Sequence, residues 1–292
     1  MIFVTGGSGF IGRHVVRQLL GKGEDVLVLA RQPEAYRRIG DETVIAGDLA
    51  SPEQIEEQLS AYSAESCIHL AWKGIPDYSY EMSEQNLHCG INLLHLCRKC
   101  GIRNLTITGS CWEYARPSGK VSVSAPLGSD NAFKCAKNAL HLMAHAFCEE
   151  HLIHLNWMRL FYVYGPGQKK ESLLPYILAS LSEGRQPALR TPYQANDYIY
   201  VEDAADAIIK AALHHNFPET LNVGTGKAVR AFDILRMAAE CFGCEIDAPG
   251  SAEADSSAFY ADAKEMKDAF AWSARTSIHE GIRSMIGAIK ER

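Results

Sequence analysis

The residues Thr5-Gly6-Gly7-Ser8-Gly9-Phe10-Ile11-Gly12 have the types and spacing to hold a phosphate group. Gly7, Gly9 and Gly12 fit the pattern GxGxxG, and Gly6, Gly9 and Gly12 fit GxxGxxG. Glycines at this spacing allow a tight turn, a backbone approach to pyrophosphate that a Cβ would block, and close packing of a helix on a strand. The apolar run Ile2-Phe3-Val4 precedes them, and an amphipathic helical pattern runs from Phe10 to Leu20. A helix opening at this point offers unpaired N–H groups and a partial positive charge. In that strand–turn–helix context the motif predicts binding of a dinucleotide by Gly6, Gly9, Phe10, Ile11 and Gly12.

The second strand bears on which dinucleotide. Strands of this kind that serve NAD usually end in Asp or Glu, which holds the ribose 2′-hydroxyl. Here the strand ends Leu29-Ala30-Arg31, so the acid is absent and a cation follows. Arg31 suits a 2′-phosphate, with Arg37, Arg38 or Arg13 in support, and the expected cofactor is NADP rather than NAD. Asp48-Leu49, after the third strand, suits the edge and face of the adenine.

The 9 cysteines include two CxxC pairs, Cys97/Cys100 and Cys241/Cys244, whose spacing resembles half-sites for zinc. Both fall in helically patterned segments, whereas zinc ribbons place such pairs on turns. The odd total favours free thiols, and no metal site is expected.

Strands and helices alternate around these residues. Apolar runs at Val26–Leu29, Val44-Ile45, Cys67–Leu70, Leu105–Ile107 and Leu155–Leu160 read as buried strands. Helical lengths lie between them, around Ile55–Leu59, Asn86–Cys97 and Asn138–Cys148. Continuously apolar strands separated by helices indicate an α/β fold, a doubly wound parallel sheet of Rossmann type. After Gly165-Pro166-Gly167 the rhythm loosens into helices at Leu173–Leu181, Ala204–Leu213, Phe232–Cys241 and Ile278–Ile289. The expected division is a dinucleotide-binding domain over 1–165 and a smaller α/β substrate lobe over 166–292, which lends some elements back to the first. A net charge of −6 gives no basic face for nucleic acid. No apolar run approaches the roughly 20 residues of a membrane span. The N-terminal segment lacks the basic start of a signal peptide, so a cytoplasmic protein is expected.

Taken together these residues resemble the extended short-chain dehydrogenase/reductase family of NAD(P)-dependent nucleotide-sugar epimerases, dehydratases and reductases. The resemblance runs through residues 5–12, Gly47-Asp48-Leu49, His69-Leu70-Ala71, Asn86, Thr108-Gly109-Ser110, Lys137, residues 159–168, Asp197–Asp203 and Asn222–Gly226. It implies that Leu70, Ala71 and Lys137 also touch the cofactor. It further implies a catalytic set of Ser or Thr followed by Tyr-x-x-x-Lys on a helix. In that set the phenol is the acid/base, the lysine lowers its pKa and holds the ribose, and the hydroxyl bonds the substrate oxygen. Ser110 and Lys137 occupy their places, but Phe133 stands where the tyrosine is expected.

Phenylalanine cannot carry a proton, and three readings remain open. The chain is a deliberate Tyr→Phe variant, which the intact remainder of the site favours; or Tyr114, Glu113 or Cys111 supplies the proton; or catalysis has been lost and a nucleotide-binding sensor or scaffold remains. The resemblance also narrows the reaction. Family 4,6-dehydratases follow the catalytic Thr with Asp-Glu, whereas Ser110 is followed by Cys111-Trp112-Glu113-Tyr114, as in small reductases of 4-keto-6-deoxy sugar nucleotides. Reduction of a 4-keto group is the leading expectation and epimerisation the alternative. Cys111, Glu113, Tyr114 and Tyr162 are candidate substrate contacts. The arginines that members use for the diphosphate are replaced by Asn196 and by the cation-free stretch Gly250–Ser257, leaving Arg190 or Arg230 for that role. The helices around 86–100 and 133–150 resemble the pair that forms a dimer interface in the family, so a homodimer is expected.

Overall fold

The computed structural model describes residues 1–115, 118–214, 219–247 and 257–290. In chain order the elements are β1 (Ile2–Thr5), α1 (Phe10–Gly21), β2 (Val26–Ala30), β3 (Thr43–Ala46), α2 (Glu53–Ser60), β4 (Ser66–His69), α3 (Tyr80–Lys99), β5 (Asn104–Ser110), β6 (Gly119–Val121), α4 (Ala132–His151) and β7 (His154–Leu160). There follow β8 (Tyr162–Tyr164), α5 (Leu173–Ser182), β9 (Ala195–Asn196), β10 (Tyr198–Tyr200), α6 (Val201–Leu213), β11 (Thr220–Val223), β12 (Val229–Arg230), α7 (Ala231–Phe242), β13 (Ala258–Ala261), α8 (Lys264–Phe270) and α9 (Ile278–Lys290).

Seven parallel strands form the main sheet in the order β11-β7-β5-β4-β1-β2-β3. Strands β1, β2 and β4 are buried along their whole length, as continuous apolar runs require when helices cover both faces. One face packs on α1, α6 and α8 through Val16, Leu19, Ile208 and Met266; the other packs on α2, α3 and α4 through Ile55, Leu93 and Leu140. The strand order reverses between β1 and β4, and doubly wound sheets bind ligands at such a switch point, outside the carboxyl ends of the strands.

The expected boundary at residue 165 is crossed in both directions. β11 and α6 lie beyond it yet complete the main sheet and its cover, because Leu221 and Val223 bury beside β7. β6 lies before it yet joins β12, β9 and β13 in a small second sheet. The second layer has its own core, in which α5, α7 and α9 meet at Ile177, Leu235 and Ile282. Helix α8 and strands β6 and β13 have no counterpart in the sequence reading, since a short element on a mixed surface shows little periodicity. Among the described residues no helix is long and apolar enough to cross a membrane.

Cys97 lies buried in the main core, while Cys241 and Cys244 pack against the second one, so the two CxxC pairs serve different layers.

Candidate active site

The glycine turn sits at the switch point, between the ends of β1 and β4. Gly6 has φ of 75°, and a Cβ there would lie 2.6 Å from the Ala71 nitrogen, so the turn is packed directly on the Leu70–Ala71 exit from β4. A Cβ on Gly12 would collide with the Gly6 carbonyl, which is the close helix–turn approach that its spacing demands. The Gly9 nitrogen donates to the Gly6 oxygen at 2.9 Å, and Gly9 caps α1 with no side-chain hydrogen bond. The first N–H groups of α1 are thus left to whatever lies above Gly9, where a Cβ would meet nothing nearer than the Gly6 oxygen at 3.1 Å. An uncapped helix end over a bare glycine suits a pyrophosphate, and these residues fit a dinucleotide. Beneath the turn the Thr5 hydroxyl pairs with His69 Nδ1 at 2.7 Å. Burial pushes His69 down to about 3, helped by the charge of Lys137, so the imidazole stays neutral.

Beside the turn a hollow of about 460 Å³ is lined by Ser8, Ala30, Arg31, Gln32, Tyr36 and Asp48. Ala30 is buried at the end of β2 and Arg31 is exposed beyond it. Of the four arginines expected here, Arg31 alone lines the hollow; Arg38 donates to the Glu42 carbonyl. Asp48 accepts from the Ala50 nitrogen at 3.0 Å, and Leu49 is buried, its carbonyl held by Asn92 at 2.8 Å.

Ser110 ends β5 and opens onto a second cleft of about 440 Å³, which Phe133, Tyr78, Trp112, Tyr162 and Tyr198 also line. Phe133 and Lys137 project from the first turns of α4, whose start is fixed by Asn131 accepting from the Lys134 nitrogen at 3.0 Å. Four residues apart, they share one face of the helix. Lys137 is buried: its ammonium donates to the Thr108 carbonyl at 2.8 Å and lies 3.8 Å from the centre of the Trp72 ring. Burial pushes it down to about 8. The Phe133 ring is packed edge-on by Trp72 at 5.5 Å and by Tyr78 at 5.2 Å.

The other sequence candidates separate into two groups. Cys111 and Tyr162 line the cleft with Ser110, and the Tyr162 hydroxyl accepts from the Trp112 indole at 3.3 Å. Burial, reinforced by the charges of Asp197 and Glu113, raises the Cys111 thiol well above its ordinary value and keeps it protonated. Glu113 and Tyr114 do not reach the cleft, against the expectation that they touch substrate. Glu113 accepts from the Ser110 nitrogen at 2.7 Å, the Trp157 indole at 2.9 Å and Arg159 Nε at 2.7 Å. Tyr114 donates to Asn222 at 2.6 Å and accepts from Arg159 at 3.1 Å. Both are buried behind the cleft wall with their polar atoms in hydrogen bonds, which counts against them as carriers of the proton missing at position 133. Arg190 and Arg230 are exposed and line neither hollow. Asn196 is buried, and residues 250–256 of the cation-free stretch lie outside the described residues.

Two residues escaped the sequence reading: Trp72 covers Lys137 and Tyr78 covers Phe133. Asp197, read there only as part of the family resemblance, ties the two layers together. Asp197 accepts from the Thr225 nitrogen and hydroxyl at 2.8 and 2.6 Å, from Gly226 at 2.9 Å and from Ala261 at 3.1 Å. The signal for the aromatic residues was their crowding at the carboxyl ends of successive strands, at positions 72, 112, 161 and 162.

A model of the NAD dependent epimerase/dehydratase family matches residues 2–224. Among characterised proteins, a dTDP-6-deoxy-L-talose 4-dehydrogenase (NAD(P)(+)) from Kitasatospora kifunensis is 27% identical, over 97% of this chain and 94% of its own. Among solved structures, UDP-glucose 4-epimerase from Thermotoga maritima superposes with a TM-score of 0.88 at 20% identity, over 99% of this chain and 98% of its own. MoeE5 in complex with UDP-glucuronic acid and NAD superposes with a TM-score of 0.84 at 26% identity, over 99% of both chains.

Proposed function

Because the chain belongs to the NAD dependent epimerase/dehydratase family, we propose that it is an NAD(P)-dependent oxidoreductase that reduces a 4-keto group on a nucleotide-activated deoxysugar. The observation that carries this reading is the convergence of Ser110, position 133 and Lys137 at the carboxyl end of β5, beside the glycine turn. When bound, the nicotinamide supplies or accepts a hydride. Ser110 holds the substrate oxygen, and Lys137 keeps a cation next to the site of proton transfer while orienting the ribose. Glu113, the acid nearest Ser110 in sequence, is locked to Arg159, and no carboxylate is among the described residues lining the cleft. Eliminating water across the sugar would require such a group, which argues for reduction over dehydration.

Position 133 is read as a tyrosine site that holds phenylalanine. Epimerisation is the second reading, favoured by the 28% identity to a UDP-glucose 4-epimerase of Oryza sativa. Stoichiometric consumption of NADPH with 4-keto sugar nucleotides, assayed in the Phe133→Tyr chain, tests the proposal. Isomerisation with no net consumption would replace it by epimerisation.

Cofactor preference follows from Ala30 and Arg31 in the ribose hollow. NADPH is expected to bind at least about tenfold more tightly than NADH, the ~1.4 kcal/mol that one charge-assisted contact supplies. Arg31→Asp should shift the preference toward NADH. Fluorescence titration that gives equal affinities for the unaltered chain would overturn the NADP assignment.

The assembly is proposed to be a cytoplasmic homodimer joined through α3 and α4. Helix α4 exposes Leu142 at 63% and Met143 at 52%, and α3 exposes Tyr80 at 67%, a cost in water that a second copy would remove. Light scattering should give a dimer at micromolar concentration, and Leu142→Glu with Met143→Glu should give a monomer. A monomeric parent chain would refute it.

A further inference from the structure

We infer that the reaction cleft selects a sugar with no ionised group and rejects uronates, an inference that rests on the nucleotide-sugar reading above. Among the described residues that line the cleft none carries a formal charge. The walls are aromatic and aliphatic, including Trp112, Phe161, Leu160 and Leu174. The polar groups among them are Ser110, Gln168, Ser172 and phenols. Burial raises the phenols of Tyr78, Tyr162 and Tyr198, so they remain protonated and suit hydroxyl or keto oxygens. Two lysines lie near the cleft without lining it, and each donates to a backbone carbonyl: Lys137 to Thr108, and Lys169, one residue after Gln168, to Ile75.

Whichever carbon faces Ser110, a carboxylate on the ring meets no formally charged side chain among the described residues that line the cleft, and a poorly compensated charge moved out of water is strongly unfavourable. The first turn of α5, at Ser172–Leu174, offers roughly half a unit of positive charge, against the full charge of a carboxylate. Apolar walls suit the methyl of a 6-deoxy sugar in the same place.

The test is calorimetric titration of the full chain with NADP⁺ bound, using the glucose and glucuronate forms of both UDP and dTDP. The glucuronate should bind at least about tenfold more weakly than its glucose partner, because the nucleotide is held constant and only the buried charge differs. Ser172→Arg should narrow that ratio; Ser172 caps α5 without a side-chain hydrogen bond, so the fold loses little. Equal binding within either pair would overturn the inference and leave the nucleotide-sugar reading standing. Failure of all four compounds to bind would overturn that reading and the inference with it.

Discussion

Phe133→Tyr is expected to raise kcat for ketone reduction by about 10²–10⁴-fold, the range that a positioned general acid contributes. The ring at 133 is held edge-on by Trp72, Tyr78 and Trp112, and it already lines the cleft with Ser110. A hydroxyl added to that ring changes the chemistry of the wall more than its shape. Substrate and cofactor affinities should stay within about threefold, since only transition-state stabilisation is added. Adding Lys137→Met to the tyrosine variant should remove most of the gain, because the buried ammonium that stabilises a developing phenolate would be gone. Rapid turnover by the chain as given, with no gain from Phe133→Tyr, would show that the proton travels by another route. Glu113 and Tyr114 are poor candidates for it, since each is buried in hydrogen bonds to Arg159 and its neighbours.

The sequence reading is strongest where one local pattern fixes both the element and its role. Gly6 to Gly12 specify a turn, a helix start and a packing distance within a single segment, and the structure has all three. The apolar runs that read as strands form the parallel sheet for the same reason. The reading weakens where a residue's role depends on partners far along the chain. Glu113 follows Ser110 closely and so looked like a substrate contact, but its carboxylate turns toward Trp157 and Arg159, 44 and 46 residues away. The hydroxyl of Tyr114 meets Asn222 across 108 residues. No spacing rule anticipates such pairings, because β7 comes beside β5, and β11 beside β7, only by assembly of the sheet. Strand β11 is one of the elements that the second segment lends back to the main sheet, but the loosened rhythm after Gly165 did not single it out.

That buried pair carries the largest expected effect on stability. Glu113 is fully buried and Arg159 is 2% exposed, with 2.7 Å between Nε and the carboxylate. Removing one partner strands the other's charge away from water, and such losses are typically about 3–5 kcal/mol. Arg159→Leu should therefore lower the stability measured by urea unfolding by about that amount, a large share of what a domain possesses. Its loss also frees the Glu113 carboxylate that accepts from the Ser110 nitrogen, so kcat in the tyrosine variant should fall further than cofactor affinity does. Combining Arg159→Leu with Glu113→Gln removes the stranded charge, and the double change should cost clearly less than the sum of the two single ones. Strict additivity in that cycle would mean that the two side chains act independently.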